Sequence, residues 1–203
     1  MMTTRHLILA SGSKARYAML KSAGLAFTVD PADIDEAALK ARMMSSEPAP
    51  GPESIALELA RAKGRSVSAR HPGGLVVAAD QVLSLDGDLV SKPADLAAAR
   101  SSLLRLRGRT HQLTSAVVMA EAGEVTWQAT DTARLTMRAF SDAFLDDYLV
   151  RAGPDVCWSV GAYELEGLGI QLFDAVDGDY FTILGLPLLP LLSELRQRGA
   201  IAS

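Results

Sequence analysis

The sequence predicts an α/β fold on a mixed sheet, and three features of it carry that prediction. Apolar runs of strand length alternate with segments at helical period, the order expected of α/β chains. Leu75-Val76-Val77-Ala78-Ala79 is an unbroken apolar run, the mark of a strand covered on both faces. His111 to Glu121 and Val125 to Met137 read as two long strands joined around Gly123, so the sheet includes hairpins and is not purely doubly wound.

Taken in order, Leu7 to Ala10 is a short buried strand, and Ser11-Gly12-Ser13 is a tight turn. Ser13 is the natural N-cap of a helix that runs through Met19 and Leu20 and stops at Gly24. Ala26 to Asp30 follows as a strand and Ala37 to Met44 as a helix. Pro48-Ala49-Pro50-Gly51-Pro52 reads as loop throughout, because proline lacks the N–H that helix and ladder need. Glu53 to Arg70 carries Ile55, Leu59 and Ala62 at helical spacing, and His71-Pro72-Gly73-Gly74 ends it. Val82 to Val90 contains a hairpin-type turn at Asp86-Gly87-Asp88, and Pro93 to Arg107 is helical. Asp142 to Arg151 is a helix; Gly161 to Gly185 is glycine-rich; Leu188 to Arg198 is helical.

A chain of 203 residues with 49% hydrophobic and 22% charged residues forms one generous globular domain, or two lobes. A net charge of -4 argues against broad nucleic-acid binding, while a few local Lys and Arg still suit an anionic small ligand. Cys157 is the single cysteine, which excludes an intrachain disulfide and a thiolate zinc site and fits a reducing compartment. The apolar run at Leu7 is shorter than a signal peptide requires. Ile183 to Leu192 is broken by Pro187 and Pro190 and falls short of the ~20 residues that span a bilayer. A cytoplasmic protein with no membrane partner is the expectation.

Several residues carry candidate chemistry. At Ala10-Ser11-Gly12-Ser13-Lys14, small residues and the free N–H groups of a helix start make either an anion site or an ordinary capped helix. No Walker A pattern occurs. Asp80, directly after the apolar run, either opens a turn or serves as a cation ligand or general base. Lys63, beside Arg61 and Arg65, and Lys92, before Pro93, are solvated surface residues or cations for an anionic ligand. Glu36 closes the acidic run Asp33-Ile34-Asp35-Glu36, which by itself suits a helix N-terminus. His111 reads as a hydrogen-bonded structural residue, and Gly167-Leu168-Gly169 lacks the third glycine of a dinucleotide fingerprint.

In this order the segments resemble the Maf family of nucleoside triphosphate pyrophosphatases. The likeness runs through Leu9 to Ser13 with Arg16, Asp33 to Glu36, Leu59 to Lys63, Ala79 to Val82, and Lys92-Pro93. It continues through Gly108 to Gln112, Gly161 to Tyr163, Glu166 to Gly169, and Gly185 to Leu188. The resemblance implies an elongated, inosine-triphosphatase-like fold with a nucleotide cleft between two lobes, a divalent metal (Mg2+ or Mn2+) and commonly a homodimer. By position it makes Asp80 the proton acceptor and, with Glu36, a metal ligand. Glu36, Lys63 and Lys92 match the other polar residues of the cleft, and Ser11, Ser13 and Arg16 the phosphate-facing turn. Ala15, Gln81 and Glu166 occupy the positions that tune the accepted base.

The Asp80-Gln81 pair and Glu166 look like the branch that hydrolyses 7-methyl-GTP; the dTTP/UTP branch has Thr and Gln at the latter two positions. A carboxylate at Glu166 could accept hydrogen bonds from the N1–H and amino group of a guanine. The family's usual Pro-Arg is Lys14-Ala15 here, and Ser159-Val160 replaces an Asp-Lys often found before Gly161. The alternatives to this enzyme are a dTTP/UTP-type pyrophosphatase and a nucleotide-binding regulator of septum formation with little turnover.

Overall fold

The computed structural model describes residues 6–202. Its strands are β1 (Leu7–Leu9), β2 (Phe27–Val29), β3 (Leu75–Leu85), β4 (Asp88–Val90), β5 (Thr110–Glu121), β6 (Glu124–Met137) and β7 (Phe173–Asp177). Its helices are α1 (Lys14–Ser22), α2 (Glu36–Met44), α3 (Pro52–Arg70), α4 (Leu96–Leu106), α5 (Asp142–Ala152), α6 (Tyr180–Ile183) and α7 (Leu188–Gln197), with short 3-10 turns at Pro154–Trp158 and Leu168–Leu172.

The strands form one mixed sheet in the order β2-β1-β3-β5-β6-β7, with β4 paired to β3. β1 lies parallel to both β2 and β3, whereas the β3–β4 and β6–β7 pairs are antiparallel. The α/β class with a mixed sheet is therefore as the sequence predicts. Ala122 and Gly123, both at positive φ, make the two-residue turn between β5 and β6.

The chain divides into two compact units, and the divisions fall inside β3, β5 and β6. The first comprises the described residues up to Gln81, Ser115–Asp131 and those from Gly185 onward. Its buried residues include Ile8, Leu9, Leu20, Ile55, Leu59, Val76, Val77 and Met119. The second comprises Val82–Thr114 and Thr132–Leu184. Its core gathers Leu83, Leu103, Leu106, Leu135, Leu145, Tyr163 and Ile183.

Local chemistry sets most element ends. Ser13 caps α1, its hydroxyl accepting from the Arg16 amide, and Gly24 at φ 76 takes the chain away from the helix end. Asp35 caps α2 and Asp95 caps α4 in the same manner.

Three readings of the sequence need correction, and a fourth stretch gains elements that the sequence leaves unassigned. Pro52 is not loop but the first residue of α3, where a missing N–H leaves nothing unpaired. The strand at Leu75 does not end at Ala79; it continues through Asp80 and Gln81 to Leu85, so Asp80 lies mid-strand. The turn after it is Asp86-Gly87, because Asp88 already pairs with Leu85. The glycine-rich stretch from Gly161 to Gly185 holds β7 and α6, hidden from a periodicity argument because the elements are short and β7 is largely exposed.

Candidate active site

The first unit brings together six of the residues that the sequence singles out. β3 supplies Asp80, and strand alternation decides where it points. Ala78, two residues earlier and hence on the same face, packs against Gly64 of α3. Asp80 thus faces α3 as well, and Lys63 meets it there. Lys63 Nζ lies 2.6 Å from Asp80 Oδ1 and 2.8 Å from Glu36 Oε1, so one ammonium bridges two carboxylates from different elements. Asp80 is only 6% exposed, and its other oxygen, Oδ2, is buried without a hydrogen-bond partner among the described residues.

Gly64 is what allows the approach. A Cβ built on it would stand 2.9 Å from Val118 Cγ2 and 3.3 Å from the Ala120 Cβ. No side chain fits there, so the backbone of α3 rides close to β3 and β5 and Lys63 reaches the sheet.

The first turn of α1 holds the second cation. Arg16 Nε donates to the Gly185 carbonyl at 2.7 Å, and its Nη1 donates to Ser11 Oγ at 3.2 Å. The same Ser11 oxygen accepts from the Ser13 amide at 3.2 Å. Burial draws the Arg16 pKa down from its ordinary value, and the nearby charges of Asp80 and Glu36 oppose that shift. Gly185 has φ +96, and a Cβ on it would lie 3.3 Å from the guanidinium. In the sequence Gly185 figures as the start of the segment Gly185 to Leu188, with no role of its own, because its partner lies 169 residues away.

Gln81, one residue on from Asp80, faces the other side of β3 and donates from Nε2 to Ser115 Oγ at 3.0 Å. Ala15 is half-buried in the first turn of α1. Lys92 and Glu166 belong to the second unit, where both side chains are exposed. Lys92 follows β4 ahead of the capped start of α4, and Glu166 lies in the turn before Leu168–Leu172. His111 is structural, as expected: it is buried in β5, and its Nε2 is 2.7 Å from the Tyr163 hydroxyl.

Chemically, the first unit holds an ionisable acid with one unused oxygen, two cations, and a helix start capped by Ser13, whose own amide donates to Ser11. That is the equipment of an α/β protein that binds an anion beside an acid. The chain belongs to the Maf family: a profile described as Maf-like protein matches residues 6–198. It is 55% identical to a protein of Paramagnetospirillum magneticum named nucleoside triphosphate pyrophosphatase, over 96% of this chain and 99% of that one. It is 52% identical to a protein of Mesorhizobium japonicum named 7-methyl-GTP pyrophosphatase, over 98% of each. A crystal structure of a nucleoside-triphosphatase, or dITP/XTP pyrophosphatase, from Mycobacterium abscessus overlays loosely. The TM-score is 0.41 at 16% identity, over 96% of this chain and 95% of that one.

Proposed function

We propose that this chain hydrolyses a nucleoside triphosphate to the monophosphate and pyrophosphate, with a guanine-type base, 7-methyl-GTP foremost. The observation that carries the reading is the free oxygen of a buried Asp80 whose other oxygen is held by Lys63. Water attacks the α-phosphorus, the bond to the β-phosphate's bridging oxygen breaks, and pyrophosphate leaves. Asp80 Oδ2, with no competing donor, accepts the proton of the attacking water. Lys63 Nζ fixes the carboxylate through Oδ1 and, with Arg16, lowers the cost of charge on the phosphates. Arg16 is held at Nε by Gly185 and at Nη1 by Ser11, so its guanidinium is oriented before substrate arrives. Ser11, Ser13 and the α1 amides receive phosphate oxygens. Lys92 adds positive charge for the triphosphate. Ala15, Gln81 and Glu166 tune the base, and Glu166 accepts hydrogen bonds from the guanine N1–H and amino group.

The residues present also fit a divalent metal. Asp80 Oδ2 is a buried oxygen in want of a partner, Glu36 supplies a second carboxylate, and an all-oxygen pair of this kind suits a hard cation such as Mg2+ or Mn2+. Among the described residues no three His, Cys, Asp or Glu are placed together to hold a metal ion, which is compatible with Mg2+, since it usually takes one or two protein carboxylates together with substrate phosphate. Asp80 and Glu36 would hold the ion, and it would supply charge neutralisation on the phosphates.

The test is a panel of nucleoside triphosphates with Mg2+ or Mn2+, following monophosphate and pyrophosphate together. Asp80→Asn should reduce kcat by roughly 10²–10⁴-fold, the range for loss of a general base. Turnover of no triphosphate, release of inorganic phosphate in place of pyrophosphate, or full activity in Asp80→Asn each refutes the reading.

A further inference from the structure

The second unit contains a buried pair, His111 and Tyr163, that the chemistry at Asp80 does not use. His111 is 1% exposed, and its Nδ1 has no hydrogen-bond partner among the described residues. Its other nitrogen is spent on the Tyr163 hydroxyl, and Phe173 closes over both rings at centroid distances of 5.9 and 4.9 Å. Burial pulls the His111 pKa down to about 4 and pushes the Tyr163 hydroxyl up, so both partners stay neutral around pH 7.

The segment that starts at Tyr163 is constrained from both ends. Gly161 permits the Tyr163 ring to fold back, since a Cβ there would stand 2.1 Å from the ring. Ala162 sits at φ 57, the left-handed region that a residue with a Cβ enters only under strain. Its carbonyl is held by the Tyr148 hydroxyl of α5 at 3.1 Å. At the far end, Gly169 lies so close to the Glu164 backbone that a Cβ would be 2.5 Å from the carbonyl oxygen. The Gly167 amide donates to that same oxygen at 3.2 Å. Leu165 is buried, and Glu164 and Glu166 on either side of it are exposed.

A mere connection needs neither a strained alanine nor a buried His–Tyr bond. Strain held this firmly is found where a side chain must be presented in one geometry. We infer that His111, Tyr163 and Tyr148 are positioning residues that fix the turn carrying Glu166, and so set base selectivity without touching the base. The inference rests on the proposed role of Glu166.

The experiment compares kcat/KM for 7-methyl-GTP and for UTP in the full chain, its Tyr163→Phe and Tyr148→Phe variants, and Glu166→Gln. Each Tyr→Phe change removes one oxygen and leaves the ring to fill its place. Tyr163→Phe should lower the 7-methyl-GTP to UTP ratio by roughly fivefold, the worth of one hydrogen bond, with Tyr148→Phe moving it the same way. Adding Glu166→Gln to Tyr163→Phe should lower the ratio less than it does alone, because the two act on one contact. A ratio unchanged in Tyr163→Phe, or an equal fall for both substrates, overturns the inference alone. If the unaltered chain releases no pyrophosphate, the proposed function falls. If it shows no preference between bases, or if Glu166→Gln leaves the preference intact, the role of Glu166 falls. Either result takes the inference with it.

Discussion

At the scale of the residue, Asp80 and Lys63 form a buried charged pair within a strand and helix that are otherwise apolar where they meet. Such pairs contribute little net stability, because desolvation offsets the attraction, yet removing one member strands the other. Lys63→Met should therefore destabilise the fold by about 3 kcal/mol, the lower end of the range for an uncompensated buried charge. Adding Asp80→Asn to it should restore most of that loss, since no buried carboxylate is then left stranded; Glu36, the other partner of Lys63, is 43% exposed and meets solvent. Urea unfolding of the two single variants and the double variant measures this. Additive losses would mean that Lys63 is not the group compensating Asp80. The site thus gives up stability that an apolar pair would supply, and holds an ionised acid in place of it.

At the scale of the element, α3 is placed by what it lacks. Gly64 interrupts a helix whose propensity an alanine would raise by up to ~1 kcal/mol, yet a Cβ there would be 2.9 Å from Val118. Gly64→Ala should therefore destabilise by about 1–3 kcal/mol, as overpacking does, and lower kcat as Lys63 is moved off Asp80. Thermal unfolding and steady-state kinetics check both; a stabilised and fully active variant would show that the helix can shift freely.

This helix also marks what the sequence made legible. The period of Ile55 and Leu59 identified α3, and Ser13 and Gly24 marked the ends of α1, because caps and periodicity are local signals. The Asp80–Lys63–Glu36 grouping was proposed only through the order of whole motifs. Contacts between residues 36, 63 and 80 depend on sheet register and helix approach, which no local pattern encodes. The run Leu75 to Ala79 concealed the true length of β3 for a related reason. A charged residue normally ends an apolar strand, and only the ammonium arriving from α3 lets this one continue.

At the scale of the whole molecule, stability against acid should be governed first by His111. Its folded pKa lies near 4, below the ordinary 6.5, because burial penalises the imidazolium. Between those values the unfolded chain binds a proton that the folded chain does not, so stability falls as pH drops from about 6.5 to 4. The loss at the bottom of that window is on the order of 3 kcal/mol, which follows from a pKa of about 4 in place of 6.5. Asp30, whose carboxyl is held below its usual range chiefly by His71 and then Arg70, works at lower pH. Its stabilisation is present above the ordinary carboxylate pKa and disappears as pH falls through its depressed folded value. The two groups therefore act in successive windows. Urea midpoints recorded from pH 7 to pH 4 should show a decline in the native chain that flattens in His111→Gln, where no titrating group remains at that position. The variant should start from a lower midpoint at pH 7, since glutamine fills the ring's place poorly, and the two curves should converge toward pH 4. Parallel curves across the whole window would mean that His111 takes up its proton as readily in the folded protein as in the unfolded chain, and that the pocket it shares with Tyr163 and Phe173 admits water.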